Sequence, residues 1–92
     1  MIRLVQIVNR YTKYFLKDIY LNPKHIVYMS ESLHEREKLL EGKMNLNIDK
    51  NARFTKIKIN ENSTITEIVV VGEPSYVESK IFSSSERILL KD

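Results

Sequence analysis

Residues 2–8 read IRLVQIV, with apolar side chains at both parities of a strand alternation. A strand apolar on both faces must be covered on both, so the pattern predicts an inner strand. Residues 9–12 predict a turn, and residues 13–21 (KYFLKDIYL) a second strand. Its faces are mixed: Phe15, Ile19 and Leu21 fall with Lys13 and Lys17, while Tyr14, Leu16 and Tyr20 fall with Asp18. Asn22-Pro23 stops that strand, because proline lacks the ladder N–H and restricts the residue before it. Residues 25–29 (HIVYM) predict a short third strand.

Periodicity then changes. Ser32-Leu33-His34-Glu35 has the spacing of a capping box, in which the serine oxygen accepts from the N3 amide and the glutamate reaches back. Leu33 and Leu40 lie seven apart, near one helix face, and Gly42 is a stop. A short, mostly polar helix over residues 33–41 follows. The rival is a long mobile insertion running to Asn51, which the scarcity of long unstructured loops in compact domains disfavours.

Residues 54–60 alternate cleanly, Ile57 and Ile59 on one side and Lys56 and Lys58 on the other. Residues 61–63 turn the chain. Residues 64–71 return with Ile65, Val69 and Val71 on one face and Ile68 and Val70 on the other, as in a central strand or one covered by another subunit. Pro74, after Gly72-Glu73, suits the first turn of a helix, where its missing N–H is not needed. Val77 and Ile81 form an i, i+4 pair to face the sheet. Ser83-Ser84-Ser85 is expected to break that helix, leaving Ile88-Leu89-Leu90 as an edge strand or an oligomer contact. The predicted architecture is α+β: one domain over residues 1–92, with residues 83–92 as a tail. It has a small, mainly antiparallel sheet of about five strands, a C-terminal helix over residues 75–82 and a short middle helix.

Composition narrows the chemistry. Ninety-two residues make one modest core, a size at which only roughly 60–65% of the unfolded surface is buried and oligomerisation is a common remedy. With no cysteine, neither a disulfide framework nor a thiolate zinc site can form, which fits a reducing cytosol. Ile68 to Val71 is the longest apolar run, far short of the ~20 residues that span a bilayer. Arg3 and Arg10 bracket only six residues, too few for the apolar core of a signal peptide. The net charge of +3 is unevenly spread: residues 1–30 carry +4 and residues 51–60 carry +3, whereas residues 61–92 carry −3. Such polarity favours an anionic partner.

Little in the chain resembles catalytic machinery. His25 and His34 have no HExxH spacing or cysteine partner; His25 reads as a packed or rim residue of an apolar strand and His34 as a solvated one. Two glycines cannot make a glycine-rich phosphate loop. No nucleophile elbow is present, and Glu31, Glu35, Glu37 and Glu41 space like a solvated helix face. One segment stands out. Arg10-Tyr11-Thr12-Lys13-Tyr14-Phe15-Leu16-Lys17 interleaves cations, which bond phosphate, with aromatic rings, which stack on bases. The bland reading is a sheet edge built from good strand formers.

Ile2-Arg3-Leu4, then Leu21-Asn22 with Ile26 four residues after the asparagine, form one set of matching positions. Thr55, Ile57, Ile59 and Asn60 before the turn, Val69 to Glu73, and Val77 with Ile81 form another. Together they resemble the small FlbD-like flagellar and swarming-motility proteins and their short phage-type relatives, over about half the chain. The resemblance implies a small non-catalytic protein, acting as a protein–protein adaptor, and supplies no functional residues. The chain departs from the pattern at Asn60-Glu61-Asn62-Ser63, where such proteins favour a tight Asn-Gly turn, in its longer residues 32–53 and in its tail.

The expectation is a non-enzymatic, cytoplasmic, homo-oligomeric binding protein without cofactor or metal. Its expected ligand is anionic, a nucleotide-type small molecule sequestered at a subunit interface in the manner of phage-encoded signal sponges. Non-specific nucleic-acid binding and a protein–protein adaptor role are the alternatives. The expected ligand surface comprises Arg10, Tyr11, Lys13, Tyr14 and Lys17, joined by Arg53, Lys56 and Lys58.

Overall fold

The computed structural model describes the backbone of residues 1–91 and the side chains of residues 1–83. Five strands, β1 (Ile2–Arg10), β2 (Lys13–Leu21), β3 (Ile26–Glu31), β4 (Phe54–Glu61) and β5 (Thr64–Val71), form one sheet. A short helix α1 (Leu33–Leu40) follows β3, and α2 (Pro74–Lys91) closes the chain. The spatial order is β2-β1-β5-β4-β3 with every neighbouring pair antiparallel. The fold is α+β.

The order explains the hydrophobic pattern. β5 is the central strand, so its two-faced run needs no second subunit to cover it. Val70 and Ile68 face one side, where α2 lies; Val69 and Val71 face the other. Beneath α2, Val77 is fully buried against Ile2, Leu4, Leu21, Ile57, Ile59 and Val70, with Ile81 packed beside them. On the opposite face α1 and the segment after it cover Ile7, Phe54, Val69 and Val71 with Leu39, Met44, Leu46 and Ile48. Phe54 is wholly buried there, and such burial stabilises by about 1.5–3 kcal/mol. Residues 41–53 are therefore neither a free insertion nor helix; they are a packed cover. Arg36 fastens it, donating to the Lys50 carbonyl at 3.0 Å and the Ala52 carbonyl at 2.7 Å.

Both hairpins close through two-residue turns. Glu61 pairs with Thr64, and Asn62 and Ser63 take φ of +51° and +67°. Positive φ at both positions is the sign of a type I′ turn, the form that suits strand twist and that Asn-Gly makes most easily. Arg10 pairs with Lys13, and Tyr11 takes φ +60°, the sign required at the first position of a type II′ turn.

Several expectations are corrected. β3 begins at Ile26, and His25 sits in a 3₁₀ turn over Pro23–His25, where its Nδ1 lies 3.2 Å from Glu61 Oε1. His25 is thus a half-buried rim residue beside a carboxylate, and it lies just ahead of the strand rather than within it. Helix α1 ends where Gly42 predicts, but the capping box does not form: the Ser32 hydroxyl donates to the Glu35 carboxylate and accepts nothing from the backbone. Ser32 is instead pinned by its own amide, which donates to the Phe54 carbonyl at 2.8 Å. Leu33 and Leu40 are 62% and 60% exposed; Leu39 is the leucine that turns inward, because the cover approaches that side of the helix. Glu31 is not a solvated helix-face acid, since it ends β3 and pairs with Arg53. Finally, α2 runs through Ser83-Ser84-Ser85 to Lys91 as one helix. Serine lowers helix propensity only modestly, and three in a row do not stop a helix already anchored on a sheet. This overturns both the break and the edge strand at Ile88-Leu89-Leu90; the oligomer contact expected of that patch lies outside the described side chains.

Candidate functional site

The β1–β2 hairpin is longer than its seat. Its two strands pair over nine positions, Ile2↔Leu21 to Arg10↔Lys13, but β1 pairs with β5 only at Gln6 and Ile7. Beyond Ile7 no ladder pair joins the hairpin to β5 among the described residues, and it forms an arm. β2 is an edge strand, so the arm's other side is open as well.

Alternation divides the arm's side chains between two faces. On the face shared with α2 stand Val8, Arg10, Lys13, Phe15 and Lys17. Val8 and Phe15 are cross-strand partners and floor an open slot of about 200 Å³, with Arg10 and Lys17 on its rim. On the other face Tyr14 is half-buried against the second core, and its side chain lines a cleft of about 480 Å³ shared with Asn9, Thr12, His34, Lys38 and Lys43. Tyr11, at the tip between the two, is fully exposed.

Four cations of the described chain are engaged by carboxylates, and those of the arm are not among them. Arg3 pairs with Asp18, Lys43 with Glu41, Arg53 with Glu31 and Glu73, and Lys56 lies 4.0 Å from Glu67. Among the described residues no carboxylate pairs with Arg10, Lys13 or Lys17, and none lines either the slot or the cleft. Like charges held together without counter-charge raise the local potential for an anion.

The eight residues expected to form one surface do not come together. Arg10, Lys13 and Lys17 share one face of the arm, with Tyr11 at its tip. Tyr14 points to the other face. Lys56 and Lys58 lie on that second face but on β4, three strands from β2, or about 14 Å. Lys58 there stands 6.0 Å from the Tyr28 ring centroid. Arg53 is committed to structure. Its Nε and Nη2 bond both oxygens of Glu31 at 2.6 Å, and its Nη1 donates to Glu73 at 2.8 Å. The Arg53 hydrogen bonds hold the Glu31 carboxyl below the usual carboxylate range despite an opposing effect of desolvation. The pair in turn raises the Arg53 guanidinium. The +3 of residues 51–60 therefore does not add to the arm.

Sequence reasoning missed Val8, which alternation alone could have placed beside Phe15. It also missed His34, Lys38 and Lys43, for which no local signal exists: they reach the arm only because α1 folds across the sheet. Among the described residues no group of three His, Asp or Glu side chains is placed to hold a metal ion, and no helix is long and apolar enough to cross a membrane. No protein-family model, curated protein or solved structure matches the chain.

Proposed function

We propose that this protein is a non-catalytic binding protein for a phosphate-bearing, nucleotide-type ligand, held by the β1–β2 arm. The observation that carries the reading is the slot on the α2 face, an apolar floor of Val8 and Phe15 rimmed by Arg10 and Lys17, neither paired to a carboxylate among the described residues. An aromatic floor offers a stacking surface to a base, and flanking cations offer charge-assisted bonds to its phosphate. Lys13, on the same face, adds a third positive charge.

The unit that binds is a homo-oligomer in this reading. β2 is an edge strand that exposes Leu16 and Tyr20, the latter 69% accessible, and a second copy along it would bring a second set of arm cations to the ligand. A cytoplasmic setting, where nucleotides are abundant, fits the absence of cysteine.

Thermal shift at low salt with mononucleotides, cyclic nucleotides and dinucleotides tests the ligand class. At ~100 times its Kd a true ligand adds about 2.7 kcal/mol, and Arg10→Ala with Lys17→Ala removes the shift while leaving the unliganded melting temperature in place. No shift with any of these ligands, or an undiminished shift in the double variant, overturns the small-nucleotide reading. Light scattering that gives the 10.9 kDa chain mass with and without ligand rejects the oligomer.

A further inference from the structure

The slot accounts for only one face of the arm. The other face carries the larger cleft, and its construction is specific. Helix α1 ends in a Schellman motif: the Gly42 amide donates to the Leu39 carbonyl at 3.1 Å, and the Lys43 amide donates to the Lys38 carbonyl at 3.0 Å. Gly42 takes the left-handed φ of +72° that this ending requires. The second of those bonds sets Lys43 beside Lys38, so two cations five residues apart line the same wall. The arm itself contributes Asn9, Thr12 and Tyr14, residues whose side chains carry neutral hydrogen-bonding groups. Lys43 also lies 3.3 Å from Glu41, whose carboxylate does not line the cleft.

Two basic recesses thus flank one hairpin, back to back, with the exposed Tyr11 ring at the tip between them. An enclosed pocket for a small molecule would converge its charged groups on one point. These groups diverge around an edge, which suits an extended polyanion. Tyr11 holds positive φ, a strained conformation for a bulky residue, and its ring, fully exposed, buries nothing of its own fold.

We propose that the arm grips single-stranded nucleic acid on both faces. The backbone passes from the Arg10–Lys17 slot round the tip to the Lys38–Lys43 cleft, and a base stacks on Tyr11. This rests on the arm-binding reading above and specifies its ligand as a polymer. Five cations, Arg10, Lys13, Lys17, Lys38 and Lys43, take part.

The test is fluorescence anisotropy with labelled oligothymidylate and oligouridylate of about four and about twelve nucleotides, a range that spans the site sizes of single-strand binders. Wild-type protein binds the longer strands more tightly. Its affinity falls with salt at a logarithmic slope of roughly −3.5, from about −0.7 per neutralised phosphate on a single strand. Lys38→Ala with Lys43→Ala flattens that slope by about 1.4 and weakens the longer strands about tenfold or more, while the nucleotide-induced thermal shift at the slot persists. Lys38→Gln with Lys43→Gln behaves the same way and serves if the alanine pair melts early. If the cleft variants leave long-strand affinity and salt slope unchanged, the two-faced grip is wrong and the slot alone binds. If Arg10→Ala with Lys17→Ala is equally silent, the arm reading fails with it. Polyglutamate that displaces the strands as well as unlabelled oligothymidylate does would reduce recognition to charge and overturn the stacking role of Tyr11. Separate uridylate and thymidylate affinities report whether RNA or DNA is the better ligand.

Discussion

The ring of Tyr76 occupies the space that a side chain on Gly72 would need: a Cβ there would meet Tyr76 Cδ2 at 2.5 Å. Gly72 takes φ +118°, its amide donates to the Arg53 carbonyl at 2.7 Å, and its carbonyl accepts from the buried Thr55 hydroxyl at 2.8 Å. The glycine therefore turns the chain from β5 into α2 while both of its backbone groups are held by the start of β4. Gly72→Ala is expected to cost about 1–3 kcal/mol, from backbone strain and from displacing the ring. Urea denaturation of Gly72→Ala, Tyr76→Ala and the double variant separates the two. The double variant should be more stable than the sum of the single losses predicts, and a neutral Gly72→Ala would refute the geometry.

The two hairpin turns offer a gain. Ser63 and Tyr11 hold positive φ without being glycine. Ser63→Gly and Tyr11→Gly should each stabilise by roughly 0.5–1 kcal/mol, the relief of a strained conformation less the added freedom of the unfolded chain. The turns differ in function: Ser63→Gly should leave oligonucleotide affinity alone, whereas Tyr11→Gly should lose about 1–3 kcal/mol of it. Chemical melts paired with anisotropy give both readouts, and a Tyr11→Gly protein that binds as tightly as the parent removes the ring from recognition.

Acid should act through Glu31. Arg53 depresses its carboxyl in the folded state, so the unfolded chain binds a proton there first. The stability from this pair is complete above the ordinary value of 4.5 and is lost as pH falls through the lower folded value. Glu31→Gln should weaken the protein at neutral pH and show a smaller further loss between about pH 5 and 3 than the parent. Denaturation midpoints across that range decide it; parallel pH profiles would mean that the Arg53 bridge joining β3 to the start of α2 contributes nothing.

Docking of α2 depends on two side chains. Val77 is fully buried and Ile81 packs beside it on the first core. Val77→Ala with Ile81→Ala should cost about 3–5 kcal/mol through lost burial and incompletely closed cavities, a large part of the 5–15 kcal/mol typical of a whole domain. A loss under ~1 kcal/mol in thermal or urea melts would show that the helix is held elsewhere.

Local chemistry was legible in the residues themselves. Apolar runs bounded by turn residues marked the five strands, with clean two-residue alternation in β4, two apolar faces in β1 that required an inner position, and two in β5 that allowed a central one. Gly42 marked the end of α1, Pro74 the start of α2, and Val77 with Ile81 its buried stripe. These signals are local, because a strand's alternation, a cap and a helix stripe depend on neighbours within a few residues. Tertiary structure alone decided that β2 and β3 are the edge strands, that the hairpin outruns its seat on β5, and that Arg53 spends its charge on Glu31 and Glu73. It alone carried Lys38 and Lys43 across the sheet to face Asn9 and Tyr14. Net charge along a chain counts cations but not their partners, and partners separated by some twenty residues or more meet only when strand order is set. The residues that make the arm basic were thus visible in the sequence; which cations remain available to a ligand was settled by folding.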